Sequence, residues 1–157
     1  MAALCALGDG EATNLLDAEA KRDTSPDGRK YAWVAAAGLA NAESKKKYFG
    51  DFLGGSVQED WITAGVPYFN YWTQSEQTLP FLCGSLEALP RLKRERKIFF
   101  VLNWLDGFLG GQTSQAALDT VDAFLRSGGI DADLRLKVLE ARDELARTVR
   151  IRERYAK

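Results

Sequence analysis

The chain contains no histidine. That absence excludes a His-ligated zinc site, a Ser-His-Asp triad and a Cys-His dyad within these residues. Cysteine is nearly as scarce. Cys5 and Cys83 are one short of a metal-binding trio and far apart. Each reads as a free thiol serving as a small core residue, and the pair suits a reducing compartment better than a disulfide framework. Proline occurs four times, and no Asn-Gly or Asp-Gly pair lies between alternating apolar runs, so hairpin signals are missing. Neither sign of charge dominates: 21 basic and 22 acidic residues leave a net charge of −1. Nothing therefore pulls the whole chain toward nucleic acid or an anionic membrane. No apolar run is long enough for a bilayer, and the residues after Met1 lack the basic start of a signal peptide. The expected location is cytoplasmic, with no nucleic-acid or membrane partner.

What is present is helical periodicity. With 157 residues and 46% hydrophobic content, the chain is expected to form one all-α domain over 1–157. Seven or eight helices are expected. Segment 4–7 reads as a helix tail, followed by 11–21, anchored by Leu15 and Leu16, and by 29–37, alanine-rich around Trp33. Segment 43–53 comes next and stops at Gly54-Gly55. Ser56-Val57-Gln58-Glu59 matches a capping box. It opens a helix to residue 72 whose stripe is Val57, Trp61, Ala64, Tyr68 and Trp72, with Pro67 expected to kink or restart it. Segment 73–89 tolerates Pro80 near its start. Segment 91–108 is apolar on every side over 98–102, and helix is favoured there over a buried strand. Thr113 is expected to cap 113–127, with Ala117, Leu118, Val121, Phe124 and Leu125 inward. The last helix, 131–155, turns Leu134, Val138, Ala141, Leu145 and Val149 to the core, and Asp143 and Arg147 can pair along it. Short Gly-rich turns imply antiparallel neighbours, giving helix pairs in a layered, solenoid-like (HEAT-like) array.

Several clusters could carry chemistry, and each has a plainer reading. Trp61, Tyr68, Phe69, Tyr71 and Trp72 form the densest aromatic group; it is either a concave binding wall or core. Phe69 and Tyr71 point off the main stripe, which makes them the candidates for contact. The basic runs Arg91, Lys93, Arg94, Arg96, Lys97 and Lys45-Lys46-Lys47 read as solvated faces. Carboxylates at Asp17, Glu19 and Asp23, or at Glu140, Asp143 and Glu144, lie among cations. They lack the apolar setting that tunes an acid–base pair. Gly54-Gly55, Gly110-Gly111 and Gly128-Gly129 lack the Lys-Ser or Lys-Thr of a phosphate loop and read as helix stops. The belt 98–108 should be only partly covered, leaving some of Phe99, Phe100 and Trp104 for another surface.

The order of several landmarks resembles the C-terminal helical region of aminopeptidase N-type zinc metallopeptidases. They are Arg22-Asp23-Thr24-Ser25-Pro26-Asp27-Gly28, then Ala35-Ala36-Ala37 and Glu43-Ser44-Lys45. Ser56-Val57-Gln58 and Tyr71-Trp72-Thr73-Gln74-Ser75-Glu76-Gln77 follow. The series closes with Gln112-Thr113-Ser114-Gln115 and Glu140-Ala141-Arg142-Asp143. The family's His-Glu-x-x-His and Gly-x-Met-Glu-Asn motifs are absent, so no catalytic or metal-binding residue transfers. The resemblance implies a non-catalytic distal part of a larger C-terminal domain, a bowl that covers a peptide chamber. Zinc would sit in a separate catalytic domain, and the partners would be the rest of that aminopeptidase chain and its peptide substrate. It adds Gln74 and Gln77 to the chamber or interdomain candidates Phe69, Tyr71, Phe99, Phe100 and Trp104. A free-standing helical-repeat scaffold for a protein or peptide is the alternative, and a carboxylate-based enzyme is a third reading.

Overall fold

The computed structural model describes residues 1–155, which form ten α-helices and one 3₁₀ turn, with no strand among them. The helices are α1 (Ala2–Leu7), α2 (Ala12–Arg22), α3 (Pro26–Ala37), α4 (Ala42–Gly54) and α5 (Glu59–Phe69). After the 3₁₀ turn Trp72–Gln74 come α6 (Ser75–Glu87), α7 (Leu89–Glu95), α8 (Ile98–Gly110), α9 (Gln115–Ser127) and α10 (Ala132–Tyr155). Side-chain oxygens open four of them by accepting an otherwise unpaired N–H. Ser25 Oγ accepts from Gly28 N at 3.0 Å, Asn41 Oδ1 from Ser44 N at 2.8 Å, Ser114 Oγ from Ala117 N at 3.2 Å and Asp131 Oδ1 from Leu134 N at 3.0 Å.

Four local expectations are corrected. Ser56 does not cap α5; Gln58 stands at that position without a side-chain cap. Ser114 rather than Thr113 caps α9. Arg147 pairs with Glu144, not Asp143. The segment 91–108 is two helices, because Arg96 and Lys97 are extended. That break folds α7 back against α8 and α10, which one continuous rod could not do. It covers part of a helix that is apolar nearly all round.

The packing alternates along the chain. Helices α3, α5, α8 and α10 lie against one another in succession, while α4, α6 and α9 form a second row against them. Between the rows sits one apolar cluster in which Phe52, Phe69, Trp104 and Phe108 meet ring to ring. Trp104 and Phe108 have centroids 4.5 Å apart, and Phe52 and Phe69 are 5.2 Å apart at a steep angle, the offset geometry that ring quadrupoles favour. A smaller cluster, Cys5, Ala12, Leu16 and Ala35, joins α1 and α2 to α3. Cys83 is exposed, contrary to its reading as a core thiol, and Phe124 is only half-buried.

The buried face of α5 is not the expected aromatic stripe. Ile62, Gly65, Val66 and Phe69 face the core, while Trp61 and Tyr68 are half-buried and Trp72 is exposed. Both sets recur at helical spacing, so periodicity could not choose between them. Close approach chose. A Cβ on Gly65 would stand 3.0 Å from the Trp33 ring, so α3 comes down on this side. On the facing side, a Cβ on Gly107 would stand 2.2 Å from Val66 Cγ1, and one on Gly111 only 1.8 Å from the Asn70 carbonyl oxygen. Gly107 and Gly111 are one turn apart on α8 and admit the backbone of α5. Gly111 therefore does more than end a helix.

Gly111→Ala is expected to destabilise the fold by about 2–3 kcal/mol or more, since the clash is with backbone. Gly110→Ala, which meets nothing within 4 Å, should instead stabilise by about 0.5–1 kcal/mol through helix propensity. Urea melts of the two variants check this, and similar shifts for both would refute the close-packing account.

Candidate functional site

Helices α1, α3 and α5 all end beside one another, and their last carbonyls have no partner within their own helices. Buried side chains supply those partners. Lys45, fully buried on α4, donates from Nζ to the carbonyl of Phe69 at 2.6 Å and that of Ala37 at 3.3 Å. Its ammonium also lies 4.6 Å from the centre of the Phe69 ring. Gln74 Nε2 donates to the carbonyls of Ala6 at 2.6 Å and Gly38 at 2.8 Å. Asn70 Nδ2 donates to Val66 O at 3.1 Å. Among the described residues Lys45 has no carboxylate partner, so burial pushes its pKa down to about 7. The helix-end carbonyls act the other way, as partial negative charges that favour the protonated amine. Lys45 is fully buried and bonded to two carbonyls, and its work is to fasten helix ends.

The surface feature that stands out is a furrow over the α5–α8 contact. It consists of two hollows that share Asn103. One, of about 580 Å³, is bordered by Glu59, Asp60, Thr63 and Ala64 on α5 and by Phe99 and Phe100 on α8. The other, of about 400 Å³, is bordered by Pro67, Asn70, Tyr71 and Trp72, and by Asp106, Gly107, Gly110 and Gly111. From Phe99 to Gly111 the furrow follows α8 for roughly 18 Å, at 1.5 Å per residue. The residues along its floor are small: Thr63, Ala64, Gly107 and Gly110. Its ends carry exposed aromatics, Phe99 at 73% and Trp72 at 53% exposure. Its charge is acidic. Glu59 is paired with Arg96 at 3.5 Å and Asp60 with Lys30 at 2.6 Å. Lys30 holds the Asp60 carboxyl below its usual range. Asp106 pairs with no cation among the described residues.

The seven candidates read from the sequence separate here. Tyr71, Phe99 and Phe100 border the furrow. Phe69 is corrected to core, fully buried beneath it. Trp104 is also core, donating from its indole to Ser85 O at 3.0 Å, and Phe100 is 3% exposed, so both are withdrawn as open contact surface. Gln74 is buried among helix ends and cannot meet a partner. Gln77 is exposed but borders a separate hollow on α6 with Pro80 and Phe81. Sequence reading placed Trp72 on an inward stripe, where the structure leaves it exposed, and did not single out Asn103 or Asp106. A signal for those two exists: Phe99, Asn103 and Asp106 recur at i, i+4 and i+7 on α8, whose other residues are almost all apolar.

Other clusters are structural. Arg142 forks onto both oxygens of Asp122 at 2.8 and 3.0 Å, and Arg135 donates to Leu125 O at 2.7 Å, tying α10 to α9. The carboxylates Asp17, Glu19 and Asp23 and those of Glu140, Asp143 and Glu144 are spread over solvated surface. Among the described residues no three Cys, Asp or Glu side chains stand close enough to hold a metal ion, so nothing in this donor set fits zinc. Among the described residues no helix is long and apolar enough to cross a membrane.

Lys45 gives the site a pH signature. The folded value, about 7, lies below the ordinary 10.5. Between those values the unfolded chain binds a proton that the folded chain has released, so stability rises with pH across the interval. Lys45→Met removes that dependence. The stability of the wild type relative to this variant is expected to increase between about pH 7 and about pH 10, by at most about 4–5 kcal/mol. Urea melts of both proteins across that range measure it, and parallel profiles would contradict the burial-driven shift.

Comparison with protein-family models finds none that matches this chain, and comparison with curated proteins finds no match either.

Proposed function

We propose that the chain acts without catalysis of its own, as a helical scaffold whose α5–α8 furrow receives an extended stretch of polypeptide. The observation that carries this reading is the furrow, long, shallow and acidic, with an exposed aromatic at each end. Large exposed aromatics over a groove offer contact area at low entropic cost. The succession α3, α5, α8, α10 against α4, α6, α9 supports reading the domain as a solenoid-like, HEAT-like array of antiparallel pairs. Such arrays bind extended partners along stacked helices.

The wall of an aminopeptidase chamber is one setting for such a surface. What supports it is the order of the sequence landmarks. Their geometry is not distinctive. In the loop before α3, Asp23 Oδ1 accepts from Ser25 N, Ser25 caps the helix, and Gly28 leaves space beside Asp23. Any helix start can use that chemistry. A His-Glu-x-x-His segment in the same reading frame supports this narrower setting, and a full-length polypeptide without one removes it.

Random linear peptides displayed against the folded chain test the furrow. Selected binders are expected to lose affinity roughly tenfold or more on Asn103→Trp, which blocks the junction of the two hollows. Gln77→Trp, on α6, should leave them unchanged. Binders indifferent to Asn103→Trp, or none at all, would overturn the reading.

A further inference from the structure

We propose that the Trp72 end of the furrow is a pocket for an arginine side chain of the bound polypeptide. This rests on the reading of the furrow as a peptide site and names what one part of it recognises. Three observations converge there. Trp72 is half exposed beside Tyr71, with ring centroids 6.3 Å apart, so aromatic faces are open to a ligand. Asp106 carries a charge that no described cation neutralises, while the acids at the other end, Glu59 and Asp60, are both paired. Gly107, Gly110 and Gly111 leave the floor without side chains.

Each neighbouring chemistry fits less well. A phosphate or carboxylate would meet Asp106 and find no cation among the bordering residues. An apolar side chain would cover Asp106 and take its charge out of water with nothing to answer it, which is costly. A lysine ammonium would answer the charge as a point but could not stack as a plane. A guanidinium does both tasks. It stacks on an indole, and it bears a permanent positive charge with forked donors for a carboxylate.

The test uses the folded chain with defined probes: N-acetyl-arginine amide, its neutral isostere N-acetyl-citrulline amide, and N-acetyl-lysine amide. Binding is read by NMR on the Trp72 indole N–H and the Asn70 side-chain amide. The arginine probe is expected to shift both signals at millimolar concentration. The citrulline probe should bind roughly tenfold more weakly, as should the arginine probe on Asp106→Asn or Trp72→Ala. Both substituted residues are exposed, and an unchanged melting curve verifies the fold. Peptides selected on the furrow should carry an arginine whose replacement by citrulline gives a similar loss. Furrow-binding peptides without that requirement, unaffected by Asp106→Asn, would overturn the pocket and leave the furrow standing. An arginine probe that binds while no peptide engages the furrow would keep the pocket and sink the wider reading. A silent arginine probe, equal binding of the lysine probe, or binding that survives Asp106→Asn overturns the proposal.

Discussion

The close approach of α8 to α5 is the contact on which the rest of the molecule depends. It exists because Gly107 and Gly111 present no side chain where Val66 and the Asn70 carbonyl press in. Two helices held this near share a deep seam, and the seam brings Phe69 and Phe108 within 5.8 Å of one another. Phe52 and Trp104 complete the cluster from either side. The same glycines have an outward consequence. Where side chains are missing, the surface above the seam sinks, and the furrow is the other side of the packing that makes the core.

Polar groups hold the ends of that assembly in register. Lys45 and Gln74 each bridge two helix-end carbonyls, so α1, α3 and α5 must terminate together before these donors are satisfied. A buried amine without a counter-ion is costly, and apolar replacements of buried ionic groups are often tolerated or even stabilising. What the amine supplies is directional: it is satisfied only when the ends of α3 and α5 stand together. Asn70 belongs to this layer and to the furrow at once. Its side-chain nitrogen closes the last turn of α5, and the residue borders the Trp72 hollow. The scaffold and the candidate site are joined through that residue.

Charge divides the furrow in the same economical way. At the Phe99 end the acids are answered within the chain, by Arg96 and Lys30, and those pairs also tie the loop before α8 and helix α3 to the start of α5. At the Trp72 end Asp106 has no such answer. The result is a groove whose apolar ends look alike and whose charge does not, an asymmetry that would give the proposed extended occupant a direction.

The amino-acid order by itself determined the all-helical class, since proline is scarce and apolar residues recur every three to four positions. It determined the inward faces of α9 and α10 nearly residue by residue, with Leu118, Val121, Leu134, Val138, Leu145 and Val149 buried as their spacing requires. Those faces were legible because each helix carries one apolar stripe against a polar background. On α5 and α8 that contrast is absent. Two apolar stripes compete on α5, and α8 is apolar nearly all round, so periodicity has no preferred answer. There the tertiary structure decided, and the deciding term was steric: which side could accept a neighbouring backbone at a glycine. The candidate site followed from that choice. Trp72 became surface once Phe69 became core, and Asp106 and Asn103 became one wall of a furrow that only two packed helices can form.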